Sequence, residues 1–224
     1  MFKRFSICYI LLMFCITGTS AQEDRWTGNA TNLSKGNLRV NSSGRYLEYS
    51  DGTPFLYIGD TAWELISRLN DKETELYLEN RREKGFTVIQ TVILDELDDM
   101  DVSSNGEPKL IDGNIDKPAP GYFTHVDKVI SLAAAKGLYI ALLPTWGDKV
   151  DKQWGKGPEI FTPENAYRYG KWLGERYMNA SNLIWIIGGD RSGDGKNFAI
   201  WNALATGIKS VDKNHLMTYH PHGE

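Results

Sequence analysis

The sequence predicts the first part of a (β/α)₈ TIM barrel, with about five of the eight strand-helix units present. Five apolar runs alternate with four amphipathic segments, and this alternation is typical of βαβ units around a parallel sheet. The runs are almost continuously apolar, as expected for parallel strands that are covered on both faces. Polar and aromatic residues follow each run, at the end of the sheet where barrel enzymes carry their active sites.

An N-terminal β-hairpin is predicted to precede the barrel. Residues 37–40 and 45–49 alternate apolar and polar side chains around the turn sequence Asn41-Ser42-Ser43-Gly44, which is a hairpin signature. A second turn follows at Ser50-Asp51-Gly52. The barrel strands are then predicted at residues 54–59, 87–94, 138–145, 183–188 and 215–220.

Helix start and stop signals predict four helices between these strands, at residues 72–84, 125–136, 163–177 and 197–211. Asn70 or Asp71 is the predicted cap of the first helix. Thr162 caps the third, with Pro163 at the first helical position, where its fixed φ angle suits a helix.

An open doubly wound sheet is the other architecture that five such units permit. A nucleotide-binding sheet of that kind would place a Gly-rich phosphate loop after its first strand. Here Gly59-Asp60-Thr61-Ala62-Trp63 brings a carboxylate and an indole instead. A complete barrel typically needs about 250 residues, so we expect the barrel to be truncated after about strand five.

The N-terminus has the pattern of a signal peptide over residues 1–21. A basic start, Met1-Phe2-Lys3-Arg4, precedes an apolar run at 5–16, and Thr19-Ser20-Ala21 provides small residues for cleavage. The alternative is an uncleaved anchor, but the apolar run is shorter than the roughly 20 residues that span a bilayer. We therefore expect export, no membrane attachment after cleavage, a flexible lead-in at 22–35, and one barrel domain from 36 to 224.

Composition argues against several classes of partner and cofactor. The formal net charge is −4, whereas nucleic-acid binding needs clustered basic residues. Both cysteines, Cys8 and Cys15, lie within the predicted signal peptide, so the exported chain has no disulfide and no Cys-based metal site. The acidic stretch at 95–101 lacks the glycine and terminal glutamate of a calcium-binding EF-hand loop. We predict no cofactor, no metal and no nucleic-acid partner.

The residues that follow the predicted strands mix carboxylates, which transfer protons, with indoles, which can stack on sugar rings. This mixture favours a glycoside as ligand, although a single Trp is as often a core residue. The candidate substrate-binding residues are Asp60, Trp63, Glu96, Trp146, Asp148, Arg191 and His220.

Asp190 is the candidate catalytic residue. It follows a buried strand and the pair Gly188-Gly189, which allows the backbone to turn tightly and present a carboxyl at the barrel mouth. Glycoside hydrolysis needs a carboxyl that donates a proton to the leaving oxygen. The alternative is that Asp190 caps the following turn or pairs with Arg191.

Several short segments together resemble the apiosidase-like catalytic domain of glycoside hydrolases. They are Gly44-Arg45-Tyr46-Leu47, Asp51-Gly52-Thr53-Pro54-Phe55, Gly59-Asp60-Thr61-Ala62-Trp63, His125-Val126-Asp127, Leu142-Leu143-Pro144-Thr145-Trp146-Gly147-Asp148-Lys149 and Trp185-Ile186-Ile187-Gly188-Gly189-Asp190-Arg191. Members of this family resemble TIM-barrel glycosidases that bacteria export to degrade plant polysaccharides, and the characterised activity removes apiose from pectin side chains.

The resemblance implies that Asp190 is the acid/base carboxyl, and it supports Asp60, Trp63, Trp146 and Asp148 as pocket residues. It also implies a second catalytic carboxylate, a Glu late in the barrel, which nothing in this sequence matches. The expected function is hydrolysis of a glycosidic bond in plant cell-wall polysaccharide by a periplasmic or extracellular enzyme. A non-catalytic carbohydrate-binding remnant and a chain that does not fold stably are the alternatives.

Overall fold

The computed structural model describes residues 27–96 and 102–223, so the predicted signal peptide and Glu224 lie outside the described residues. Two sheets are present. A three-stranded antiparallel sheet has the order β1-β2-β3, and a five-stranded sheet has the order β4-β5-β6-β7-β8 with parallel neighbours throughout. Five parallel strands in chain order, alternating with helices, confirm the predicted partial barrel.

The small sheet consists of β1 (Leu38–Val40), β2 (Leu47–Tyr49) and β3 (Pro54–Phe55). The parallel sheet consists of β4 (Gly59–Thr61), β5 (Val88–Val92), β6 (Tyr139–Leu143), β7 (Leu183–Gly188) and β8 (Met217–His220). The helices are α1 (Leu65–Arg68), α2 (Asp71–Glu83), α3 (Pro120–Ala135), α4 (Pro163–Tyr177) and α5 (Phe198–Val211).

The first barrel strand begins later than the sequence predicted. Residues 54–59 were expected to form one strand, but Pro54 and Phe55 pair antiparallel with β2, and the barrel strand starts at Gly59. The cause is the turn at Asp51-Gly52, which the N–H of Tyr49 closes by donating to the Thr53 carbonyl at 2.9 Å. This turn folds the chain back onto β2, so the apolar run serves two different sheets.

Helices whose first turn has a capping side chain begin close to the residue that the sequence predicted. Asn70 accepts from the backbone of Lys72 and Glu73, and the Glu73 side chain accepts from the Asn70 N–H, which completes a capping box. Helix α3, which the sequence predicted at residues 125–136, starts five residues earlier at Pro120, and its cap position makes no side-chain hydrogen bond. The short helix α1 carries no cap either, and the sequence reasoning missed it.

The side chains of the parallel strands alternate between two apolar layers. One layer lies inside the sheet's curve and rests on the small sheet; its strand residues are Val88, Val92, Tyr139, Ala141, Leu143, Ile184 and Ile186. The other layer lies between the strands and the helices, and includes Ile89, Ile140, Leu142, Trp185 and Ile187. Since the period of a strand is two, each residue's position in this alternation fixes whether it faces the interior or a helix.

The described part of the predicted lead-in, residues 27–35, makes more contacts than a flexible segment would. The Ala30 N–H donates to the Lys136 carbonyl at 2.9 Å, and the Thr31 hydroxyl donates to the Gly137 carbonyl at 2.6 Å. The Arg82 guanidinium donates to the Gly28 carbonyl at 2.6 Å. These bonds tie the segment to the ends of α2 and α3.

Helices α4 and α5 pack closely because glycines line their contact. A Cβ atom on Gly170 would overlap the carbonyl oxygen of Leu204, and one on Gly207 would overlap the carbonyl oxygen of Tyr167. Both obstructing atoms are backbone, which cannot move without separating the helices. Throughout the part of the chain that the structure describes, no helix has the length and apolar character needed to cross a membrane.

Replacing Gly170 by Ala should lower the free energy of unfolding by about 1–3 kcal/mol, because the added methyl group overpacks the helix contact. Urea denaturation of the purified chain measures this. Gly121→Ala is the matched control, since a Cβ there meets the flexible carboxylate of Glu107 and should change stability by less than about 0.5 kcal/mol. Equal stability of the two variants would contradict the packing account.

Candidate active site

A small cavity opens at the carboxyl ends of the first three parallel strands. It has a volume of about 120 Å³ and is lined by Trp63, Glu64, Val92, Glu96 and Trp146. We call it the inner cavity. Its volume gives room for several water-sized groups, which suits one small sugar unit rather than an oligosaccharide. Two carboxyls among aromatic walls provide the combination of hydrogen bonding and stacking that sugar rings need.

Three aromatic rings form one wall of the site. The ring centroids of Trp63 and Trp146 lie 5.1 Å apart, and that of His220 lies 5.3 Å from Trp63 and 5.5 Å from Trp146. The three residues follow β4 and β6 and end β8, so the chain's curvature brings distant strand ends together. The Trp146 side chain is only 4% exposed, and its indole N–H has no hydrogen-bond partner among the described residues. It is therefore an available donor in the wall of the inner cavity.

The end of β7 turns sharply through three successive residues with positive φ. The φ angles are 102° at Gly188, 126° at Gly189 and 53° at Asp190. A Cβ on Gly188 would overlap the carbonyl oxygen of His220, and one on Gly189 would lie 2.8 Å from the backbone N of Gly147. Both positions therefore require glycine for space as well as for conformation. Asp is one of the few other residues that adopt such a φ angle.

This turn presents Asp190 at the rim of the site. Its side chain is 41% exposed, and its Oδ1 lies 3.4 Å from Nδ1 of His220. A second and larger cavity lies on the far side of Asp190. It has a volume of about 450 Å³ and is lined by Gln153, Asp190, Arg191, Ser192, Pro221 and His222. We call it the outer cleft. Asp190 thus lies in the wall of the outer cleft and, through His220, beside the aromatic wall of the inner cavity.

Arg191 lines the outer cleft, but its guanidinium is hydrogen-bonded to backbone carbonyls. Its side chain is 1% exposed, and its guanidinium donates to the carbonyls of Asp151, Asp190 and Lys152 at 2.6, 2.9 and 2.9 Å. It therefore holds the loop after β6 against the end of β7. The sequence placed Arg191 among the substrate-binding residues, whereas the structure gives its polar atoms to the backbone.

Asp148 is also buried beneath the site. It is fully inaccessible, lies 3.1 Å from the Lys149 ammonium and accepts from the Gly157 N–H at 2.8 Å. Burial raises the pKa of its carboxyl above the ordinary value in spite of the Lys149 charge. Lys149 donates in addition to the Gly157 carbonyl. The pair organises the loop at 150–158, and the described structure leaves Asp148 no surface to offer a ligand.

Asp60 faces away from both cavities, contrary to the sequence prediction. Its carboxylate accepts from the Tyr77 hydroxyl at 2.7 Å and pairs with Arg81, and both partners lie on α2. The physical reason is register. Asp60 is the partner of Ile89 on the neighbouring strand, and Ile89 belongs to the layer between sheet and helices, so Asp60 points to the same side.

The two carboxyls of the inner cavity are electrostatically unusual. Burial raises the pKa of Glu96 above the ordinary value, and the charge of Asp148 adds to the shift, with a smaller addition from Asp190. Burial and the charge of Asp95 likewise raise the pKa of Glu64. Asp95 itself is paired at 2.7 Å with Lys109, both fully buried. Both carboxyls are therefore harder to ionise than exposed ones.

Sequence reasoning missed one residue that lines the inner cavity, Glu64, and one that contacts the lining of the outer cleft, Trp154. Glu64 follows Trp63 directly and lines the inner cavity, so its position one residue past an already selected segment was an available signal. Trp154 lies in the loop after β6 with its side chain 56% exposed, 4.2 Å from the Arg191 guanidinium. No periodicity marks that loop. Among the described residues, no group of three or more His, Cys, Asp or Glu is gathered as a metal site would require.

Comparison with known proteins identifies the family and the fold. A solved "Glycoside hydrolase" is 42% identical to this chain, covers 86% of it and matches with a TM-score of 0.75. A glycoside hydrolase family 5 protein from Bacteroides vulgatus is 35% identical, covers 88% of the chain and has a TM-score of 0.77. The catalytic domain of the Thermobifida fusca endoglucanase Cel5A, 14% identical over 86% of this chain and 57% of its own, matches in fold with a TM-score of 0.52. No curated protein matches.

The fold and these similarities define a glycoside-hydrolase-like barrel domain. The family model of the apiosidase-like catalytic domain matches residues 41–224, and the chain belongs to that family. It spans about two fifths of the two most similar structures named above, 42% and 41% of their lengths.

Replacing Glu96 by Gln should stabilise the chain at pH 7 and have less effect as the pH falls. A carboxyl whose pKa is raised in the folded state loses stability as pH rises through that pKa, and Gln removes this loss. Below the ordinary carboxyl pKa both side chains are neutral, so the difference should vanish. Thermal unfolding between pH 4 and pH 7 measures it.

Glu75→Gln is the control for this experiment, because Glu75 is exposed on α2 and its replacement should leave the melting temperature unchanged throughout. A Glu96→Gln variant that is less stable than the parent at pH 7 would contradict the electrostatic description of the inner cavity.

Proposed function

We propose that this chain forms the first part of the catalytic barrel of a glycoside hydrolase that removes a terminal sugar from plant cell-wall polysaccharide, such as apiose from a pectin side chain. Asp190 is the acid/base carboxyl. The observation that carries the proposal is the position of Asp190 in the wall of the outer cleft and 3.4 Å from His220, whose ring packs against both indoles of the inner cavity wall. A glycosidic oxygen beside Asp190 would have one sugar on either side.

The inner cavity supports binding of the terminal sugar. It is small and has two indoles in its walls, whose apolar faces suit the C–H faces of a sugar ring. Glu64, Glu96 and the Trp146 indole N–H provide hydrogen-bonding groups for hydroxyls. The preference for apiose derives from the family to which the chain belongs, and hydroxyl recognition alone would also fit other small neutral sugars.

In the proposed reaction Asp190 donates its proton to the glycosidic oxygen as the bond to the sugar breaks. In the same step a second carboxylate, expected late in the complete barrel, attacks the anomeric carbon or activates the water that attacks it, so the new bond forms as the old one breaks. Whether the configuration is retained or inverted depends on the distance between those two carboxyls. His220 positions Asp190, because its Nδ1 lies 3.4 Å from both the backbone N and Oδ1 of Asp190.

We also propose that the chain is exported and loses residues 1–21. The support is the basic start, the apolar run and the small residues before position 22. The mass of the mature protein from the native cells tests this, and a chain that retains Met1 would contradict it.

Replacing Asp190 by Asn should lower hydrolysis of apiosides with poor leaving groups by about 10²–10⁴-fold, the usual contribution of a general acid. Turnover of apiose-containing pectic oligosaccharides by a longer form of the protein that includes the second carboxylate measures the effect. Asn is the appropriate replacement because it tolerates the positive φ angle of Asp190 as Asp does.

Two results complete this test. Asp116→Asn is a matched control at an exposed ion pair with Arg168, away from both cavities, and should leave turnover unchanged. Unaltered turnover in the Asp190→Asn variant of an active enzyme would show that another residue supplies the proton.

A further inference from the structure

The most exposed tryptophan of the described residues lies beside the outer cleft. Trp154 has 56% of its side chain exposed, although burying a side chain of this size would be strongly favourable. Its loop, residues 150–158, begins directly after the fully buried Asp148–Lys149 pair, at the same end of the sheet as the site. A single exposed aromatic residue needs no special explanation, so the contacts of Trp154 and its position next to the outer cleft decide whether it can meet a ligand.

Two side chains hold the indole in place. The Arg191 guanidinium lies over its ring, 4.2 Å from the centroid, and that guanidinium is itself fixed by three backbone carbonyls. The His222 ring lies 5.4 Å away at an angle of 58°. More than half of the surface of Trp154 is accessible in spite of these contacts. An apolar ring that is already held in place loses little conformational entropy when a ligand stacks on it.

The outer cleft is suited to a saccharide in size and in chemistry. Its volume of about 450 Å³ exceeds that of the inner cavity, about 120 Å³. Its lining includes Gln153 and Ser192, which can both donate to and accept from hydroxyls. It also includes Asp190, the carboxyl that would protonate the leaving oxygen.

We propose that the outer cleft binds the sugar on the leaving-group side of the glycosidic bond, with Trp154 as its stacking platform and Arg191 as the residue that holds the platform. This inference rests on the proposed function, because it takes Asp190 as the acid. It adds that affinity for the polymer depends on Trp154, in a loop outside the inner cavity.

The test separates binding on the two sides of Asp190. The parent protein is the full chain with Asp190→Asn, which prevents cleavage. Its affinity for a polymer is measured as retarded migration in native gels that contain pectin, arabinan or xylan. Adding Trp154→Ala to this parent should weaken the retardation by at least about tenfold, whereas adding Trp154→Phe should keep most of it. Tyr46→Ala is the matched control, because Tyr46 is an exposed aromatic, 46% accessible, at the hairpin before β2.

A second probe is methyl apioside, whose sugar fills the inner cavity alone; its affinity, measured by calorimetry, should be the same with and without Trp154→Ala. Two results would overturn the role of Trp154 as a platform: retardation that Trp154→Ala leaves unchanged, or an equal loss of affinity for methyl apioside and for the polymer. The role of Asp190 would then still be decided by its turnover test. If the parent is not retarded in any of the gels and does not bind methyl apioside, both this inference and the proposed function fail.

Discussion

The site depends on how closely three strand ends approach one another around the turn at Gly188-Gly189. The Gly189 N–H donates to the carbonyl of His220 at 3.1 Å, and its own carbonyl accepts from the Gly147 N–H at 3.1 Å. These two bonds join the end of β7 to its neighbours on both sides. Because neither glycine has space for a Cβ atom, any other residue would separate His220 from Trp146 and open the aromatic wall.

Burial of charge beneath this turn determines which polar groups are left for a ligand. Asp95 pairs with Lys109 and Asp148 with Lys149, all four fully inaccessible, and the Arg191 guanidinium is bound by carbonyls. A buried pair contributes little net stability, but breaking one leaves an uncompensated charge at a cost of about 3–5 kcal/mol. These groups therefore act as fixed supports.

The groups that remain differ in environment. Asp190 is partly exposed on a strained turn, whereas burial and the nearby Asp148 charge raise the pKa of Glu96, which shares its cavity with two indoles. In the proposed function Asp190 gives its proton to the glycosidic oxygen, and Glu96 binds sugar hydroxyls. The small sheet packs at the opposite end of the strands through Phe55, whose ring meets that of Tyr139, the first residue of β6, edge-on at 5.2 Å.

The sequence predicted the order of the barrel strands and of the four longer helices, and it predicted both ends of β7 to the residue. Continuous apolar runs and caps such as Thr162 are local signals. It could not predict which way Asp60 faces, because that depends on whether the barrel strand begins at Pro54 or at Gly59. The apolar run at 54–59 would have the same sequence pattern in the small sheet and in the parallel sheet. Trp63 and Trp146 were found because they follow strands. Trp154 was missed because its role depends on Arg191, which is 37 positions away in the sequence and meets it only in the folded chain.

In the proposed complex a glycosidic bond lies beside Asp190, between the inner cavity and the outer cleft. A crystal structure of the Asp190→Asn chain with an apiose-containing pectic oligosaccharide would show where that bond lies. We expect the terminal sugar against Trp63 and Trp146, the glycosidic oxygen within hydrogen-bonding distance of residue 190, and the next sugar on Trp154. An oligosaccharide bound elsewhere, such as in the groove between Arg168 and Trp172, with the inner cavity empty, would contradict it.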